Sequence, residues 1–198
     1  MGNLPNILTL TRILVIPIFV FVFYLPFSGA HLAAAIIFAL ASLTDWLDGY
    51  LARSLKQITK LGAFLDPVAD KLMVSIALVM IVGEFQFQFI SGPHSVITVP
   101  SAILTVPAAI IVGREIIVSA LREWMAELGK RTSVRVSHLG KVKTVVQMLA
   151  LIVLLYCGAA TNAIIIALGY ALLYAAAVLT IWSMLFYLKA AWPDLKEP

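Results

Sequence analysis

No lysine or arginine occurs in residues 13–52, 72–113 or 144–188, and each stretch is overwhelmingly apolar. A helix needs about 20 such residues to cross about 30 Å of hydrocarbon. In lipid it must also satisfy its own backbone amides. A composition that is 62% hydrophobic and 12% charged does not suit a soluble domain. The expected class is therefore an all-α, polytopic integral membrane protein, a single domain over 1–198 with no internal repeat.

Turn residues and charge divide the chain into six expected helices, at 6–25, 31–52, 63–83, 97–125, 141–158 and 163–188. Pro5-Asn6 opens the first and Pro26 closes it, while Pro100 and Pro107 are expected to bend the fourth. Arg53, Lys56 and Lys60 in 53–62 and Lys130, Arg131 and Arg135 in 126–140 mark cytoplasmic segments. Segments 26–31 and 84–98 have no basic residue and belong outside; His94 is expected to be an exposed loop residue there. Both termini are then cytoplasmic. The net charge of +4 serves topology and anionic lipid headgroups, and no nucleic acid partner is expected. The single Cys157 excludes an intrachain disulfide. A signal peptide ending at Ser28-Gly29-Ala30 is disfavoured, since the first run is long for an h-region. In the sixth helix, Gly169, Ala171, Ala175, Ala176 and Ala177 allow close helix approach.

Four aspartates break this apolar pattern: Asp45 and Asp48, then Asp66 and Asp70. Acids inside membrane helices are costly and mark function. Each pair shares one helix face, being three or four residues apart. Counting from Arg53, Asp48 lies roughly 7 Å and Asp45 roughly 12 Å deep. Counting back from Gly62, Asp66 lies roughly 6 Å and Asp70 roughly 12 Å deep. If the two helices are neighbours, the four carboxylates converge level for level in a cytoplasmic pocket. Four such acids cannot all stay ionised without cations. An all-oxygen set selects Mg2+ or Mn2+ over zinc, and two ions suit phosphoryl chemistry. Gly49, Ala52 and Gly62 leave room beside the acids, and Arg53 is placed to meet a phosphate at the membrane edge. The plainer alternative is a set of buried salt bridges to Lys71, Arg53 and Arg114.

The pattern Asp45-x2-Asp48-Gly49-x2-Ala52-Arg53-x8-Gly62-x3-Asp66-x3-Asp70 resembles the signature of the CDP-alcohol phosphotransferases. The similarity extends over nearly the whole chain. Its further marks are Pro5-Asn6-x2-Thr9-x2-Arg12, Arg114-Glu115-Ile116-Ile117, Ser119-Ala120-Leu121-Arg122-Glu123-Trp124 and Gly140-Lys141-Val142-Lys143-Thr144. The resemblance implies a homodimer in the bacterial cytoplasmic membrane and a divalent-metal site held by Asp45, Asp48, Asp66 and Asp70. It implies transfer of a phosphatidyl group from CDP-diacylglycerol to sn-glycerol 3-phosphate, releasing CMP. Asp70 would be the general base on the acceptor hydroxyl. The donor would lie over Gly49, Ala52 and Arg53, with Asn6 and Thr9 closing the nucleotide pocket.

The acceptor carries a doubly charged phosphate and wants a basic pocket. Arg114 lies roughly 16 Å inside the cytoplasmic end of its helix, too deep for a snorkelling residue. With Lys141 and Lys143 at the mouth of the fifth helix, and Arg122 as a fourth member, it forms the expected glycerol-phosphate clamp. The basic residues disfavour serine as acceptor but not inositol phosphate. Phosphatidylglycerol is a further alternative for the same chemistry. A divalent-cation transporter is the rival from another class. Transport sites tend to lie at the midplane and at repeat interfaces, neither of which this sequence offers.

Overall fold

The computed structural model describes residues 4–55, 60–84, 89–92, 95–98, 100–129, 138–158 and 161–195, with side chains described at 9–44, 62, 64–84, 100–129, 140, 142–158 and 161–192. Six helices follow one another: α1 (Leu4–Phe23), α2 (Ala30–Leu55), α3 (Lys60–Gly83), α4 (Ala102–Glu127), α5 (His138–Tyr156) and α6 (Ala163–Leu195). Between α3 and α4 the strands β1 (Phe89–Gly92) and β2 (Ser95–Thr98) pair antiparallel, with Phe89 opposite Thr98 and Gly92 opposite Ser95.

The hairpin is a short addition to the expected all-α architecture, confined to the α3–α4 connection. Segment 84–98 is expected on the outer side, and within it the β-branched run Val96-Ile97-Thr98 suits strand β2. As a result α4 starts at Ala102 rather than 97. Pro100 precedes the helix, its carbonyl accepting from the Ile103 amide at 3.0 Å, and Pro107 alone of the two lies inside. The sixth helix runs on to Leu195, well past the expected 188.

Helix α5 packs against α2, α3 and α6; α1 packs against α2 and α3; α4 packs against α3 and α6. The main core gathers Phe19, Phe38, Leu78, Ile81, Ile111, Leu151, Leu154 and Leu173, all fully buried. A second, smaller core joins Val118, Leu121 and Met125 of α4 to Tyr187 and Ala191 of α6. Between them, the buried faces of α4 and α6 turn polar at Arg114, Thr180 and Ser183. That polar layer is where the site forms.

The outer surface is the reverse of a soluble protein's. Leu14, Phe21, Val79, Ile116 and Ile164 are each about two-thirds exposed or more. Contiguous apolar surface of this kind belongs against lipid or another protein. Among the described residues, α4 and the Ala163–Trp192 part of α6 are long and apolar enough to cross a membrane, and Thr9–Phe23, Ala30–Thr44 and Val142–Tyr156 are shorter apolar stretches.

Close approach of α5 and α6 depends on Gly169, where an added Cβ would lie 2.6 Å from Cδ2 and 2.9 Å from Cγ of the fully buried Leu154. Overpacking of this kind costs about 1–3 kcal/mol. Gly169→Ala should lower the thermal unfolding temperature in detergent, and adding Leu154→Ala should recover part of the loss. Unchanged unfolding of Gly169→Ala would show that the two helices separate freely.

Candidate active site

Glu115 organises the polar layer. Its Oε1 accepts from Arg114 Nη1 at 3.2 Å and from Lys143 Nζ at 2.5 Å, so one carboxylate oxygen ties α4 to α5. Arg114 Nη2 donates to Ser183 Oγ at 3.1 Å, which extends the tie to α6. Arg114 and Lys143 are both buried. Such charges are stable inside an apolar bundle only when paired and hydrogen-bonded.

Tyr187 of α6 lies between two arginines of α4. The Arg114 guanidinium sits 5.5 Å from its ring centroid and that of Arg122 sits 5.2 Å away. Arg122 Nη2 also donates to Tyr187 Oη at 3.2 Å. Arg114 and Arg122 are eight residues, about 12 Å, apart along the helix. The ring holds the two cations on one side of α4.

These groups wall a cavity of about 210 Å³, together with Asp70 and Lys71 of α3 and Gly140, Thr144 and Gln147 of α5. Gly140, Lys143, Thr144 and Gln147 stand at i, i+3, i+4 and i+7 and so share one face of α5. Lys71, Arg114, Arg122 and Lys143 against Asp70 and Glu115 leave two positive charges on the wall when all are ionised. That excess matches one phosphate dianion. The cavity therefore unites Asp70 with three of the four residues expected to clamp a phosphorylated acceptor, Arg114, Arg122 and Lys143.

One turn before Asp70 on α3, Thr9 Oγ1 of α1 donates to Asp66 Oδ1. One turn along α3, Asp70 borders both the cavity and a small gap that it shares with the buried Arg12. Asp66 and Asp70 therefore lie on one helix face, with the polar stripe of α1 beside them. Lys71 Nζ donates to Ser119 Oγ, so the hydrogen bonds of Lys71 and Arg114 go to Ser119, Glu115 and Ser183 rather than to Asp66.

Asn6, Asp45, Asp48, Gly49, Ala52, Arg53 and Lys141 stand on α1, α2 and α5, but their side chains lie outside the described residues. The expected level-for-level match of the two acid pairs lies there too. Among the described residues no three His, Cys, Asp or Glu side chains form a metal-binding group, two of the four aspartates being outside that set. The described pair fits a hard cation in kind: carboxylate oxygens one turn apart, beside a hydroxyl.

Four wall or bridging residues were not singled out from the sequence: Glu115 as the bridge, Ser183, Tyr187 and Gln147. Glu115 adjoins Arg114 in sequence, which was a usable signal. Ser183 and Tyr187 lie 69 and 65 residues from their arginine partners, beyond any helical periodicity.

Residues 2–182 match the family model described as CDP-alcohol phosphatidyltransferase. A curated relative from Sodalis glossinidius (strain morsitans) is 54% identical over 195 residues, covering 98% of each chain. One from Pectobacterium atrosepticum is 53% identical over 99% of this chain and 98% of its own length. One from Pseudomonas fluorescens is 54% identical over 98% and 92% respectively. All three are named CDP-diacylglycerol–glycerol-3-phosphate 3-phosphatidyltransferase.

Removing the bridge leaves two buried cations facing each other. Glu115→Ala should cost roughly 3 kcal/mol, read as a lower unfolding temperature in detergent. Millimolar inorganic phosphate should restore part of it by replacing the lost negative charge. Stability equal to that of the unaltered protein, with or without phosphate, would contradict the bridging role.

Proposed function

The chain belongs to the CDP-alcohol phosphatidyltransferase family, and on that premise we propose that it transfers the phosphatidyl group of CDP-diacylglycerol to sn-glycerol 3-phosphate, releasing CMP. The observation that carries this reading is one cavity walled by a carboxylate, Asp70, and by Arg114, Arg122 and Lys143. The relatives' shared name supports the same donor and acceptor.

In this reading the acceptor phosphate docks on Arg114, Arg122 and Lys143, with Lys141 at the entrance. The excess of two positive charges suits a phosphate monoester dianion and disfavours an uncharged alcohol. Asp70 accepts the proton of the sn-1 hydroxyl, and that oxygen attacks the phosphorus bearing the diacylglycerol. A new P–O bond forms to the acceptor as the P–O bond to CMP breaks, with inversion expected for this direct displacement. An alcohol is a poor nucleophile, so a carboxylate within reach of its proton contributes about 10²–10⁴-fold. The rest comes from orientation of two bound substrates. The cytidine diphosphate lies towards α1 and α2, over Gly49, Ala52 and Arg53, with Asn6 and Thr9 closing the pocket. Asp45, Asp48, Asp66 and Asp70 hold Mg2+ or Mn2+, two ions in all, which supplies positive charge at the diphosphate when bound.

The same reading places the protein in the bacterial cytoplasmic membrane as a homodimer. Each chain spans six times, with both termini and the active site on the cytoplasmic face. The absence of Lys and Arg from the three apolar stretches and the apolar outer surface support it. The acyl chains then stay in lipid while the headgroup enters the cavity.

Steady-state kinetics test the roles. Asp70→Asn should lower turnover by about 10³-fold while CDP-diacylglycerol binding stays within about threefold; equal loss of both would refute the base role. Arg114→Ala should raise the KM for glycerol 3-phosphate at least about tenfold, the order of one lost charge-assisted hydrogen bond. The KM for the lipid donor should hardly move. A parallel rise in both would make Arg114 a structural residue only.

A further inference from the structure

One polar wall residue is left without work by the reaction as described. Gln147 is only 3% exposed, and its Oε1 is buried with no hydrogen-bond partner among the described residues. Buried polar groups are almost always satisfied, and an orphan at a cavity wall marks the place of a ligand atom. Gln147 lies one turn along α5 from Lys143, about 6 Å, on the same cavity-facing side.

The type of side chain narrows the ligand atom. A primary amide is uncharged and both donates and accepts. It is a poor partner for a phosphate that four cations already surround, and a good one for a neutral hydroxyl. Thr144, Val74 and Met148 beside it do not compete for that task. Thr144 gives its hydroxyl proton to the Gly140 carbonyl at 2.9 Å, and Val74 and Met148 are apolar. The acceptor named above has three polar groups: the phosphate, the reacting sn-1 hydroxyl and the secondary hydroxyl at C2. The first two are taken by the clamp and by Asp70.

We propose that Gln147 hydrogen-bonds the C2 hydroxyl of the acceptor and so selects glycerol phosphate over phosphorylated alcohols that lack it. The inference rests on the acceptor reading given above. A site built to bond a hydroxyl rejects the analogue without it, because its own buried group is then left unpaired. The bond also fixes rotation about the C1–C2 axis and turns the sn-1 oxygen towards Asp70. Gln147 is thus a specificity-determining residue, and the step it serves is binding in the correct rotamer.

The test compares glycerol 3-phosphate with 3-hydroxypropyl phosphate, the same molecule without its C2 hydroxyl, by kcat/KM for CMP release. The unaltered protein should prefer glycerol 3-phosphate at least about tenfold. Gln147→Met, which keeps the volume and removes the amide, should bring the two substrates within about threefold by slowing glycerol 3-phosphate alone. Gln147→Ala should behave likewise, and serves if the methionine variant does not fold. Discrimination that persists in either variant overturns the proposal. So does an unaltered protein that uses both substrates equally, a result independent of any variant. Failure of the unaltered protein to use glycerol 3-phosphate at all would sink the acceptor reading instead, so the two failures are distinguishable.

Discussion

Glu115 is the interaction on which the rest of the site depends. Two buried cations from different helices would repel each other in a low-dielectric bundle, and a single carboxylate oxygen between them turns repulsion into a tie. The tie fixes α4 against α5, and Ser183 and Tyr187 then bring α6 to the same point. Ion pairs of this kind rarely add net stability relative to apolar packing. Their worth here is placement: positive charge is held inside the bundle, where it could not otherwise persist.

The fold surrounds this layer with two apolar cores, one on either side along α4 and α6. The cavity's other wall is α3, whose Asp70 lies one turn from the Thr9-bonded Asp66. The same short stretch of α3 thus faces the polar stripe of α1 and the cationic pocket of α4 and α5.

Much of this was legible in the sequence, and for physical reasons. Long apolar runs without Lys or Arg gave six helices, because lipid-facing helices leave few other residue choices. Arg114 stands out because charge deep in an apolar helix is expensive, and Lys143 and Arg122 join it as basic residues towards the cytoplasmic ends of their helices. The hairpin was overlooked because a four-residue strand carries little signal beside helices of 19 residues or more. Tyr187, Ser183 and Gln147 were invisible for another reason. A neutral polar or aromatic residue in an apolar helix costs little, so nothing in the sequence distinguishes a wall residue from ordinary filling. Only the arrangement of the helices around the cavity reveals which of them face it.

The central claim is that this cavity takes a phosphorylated glycerol and hands it a phosphatidyl group. The most direct measurement is CMP release by the detergent-purified protein with CDP-diacylglycerol and Mg2+, offering glycerol 3-phosphate, inositol phosphate, serine and phosphatidylglycerol one at a time. Release stimulated by glycerol 3-phosphate alone, with phosphatidylglycerol phosphate as the lipid product, is the predicted result. Release with any of the other three in its place would contradict the acceptor site described here.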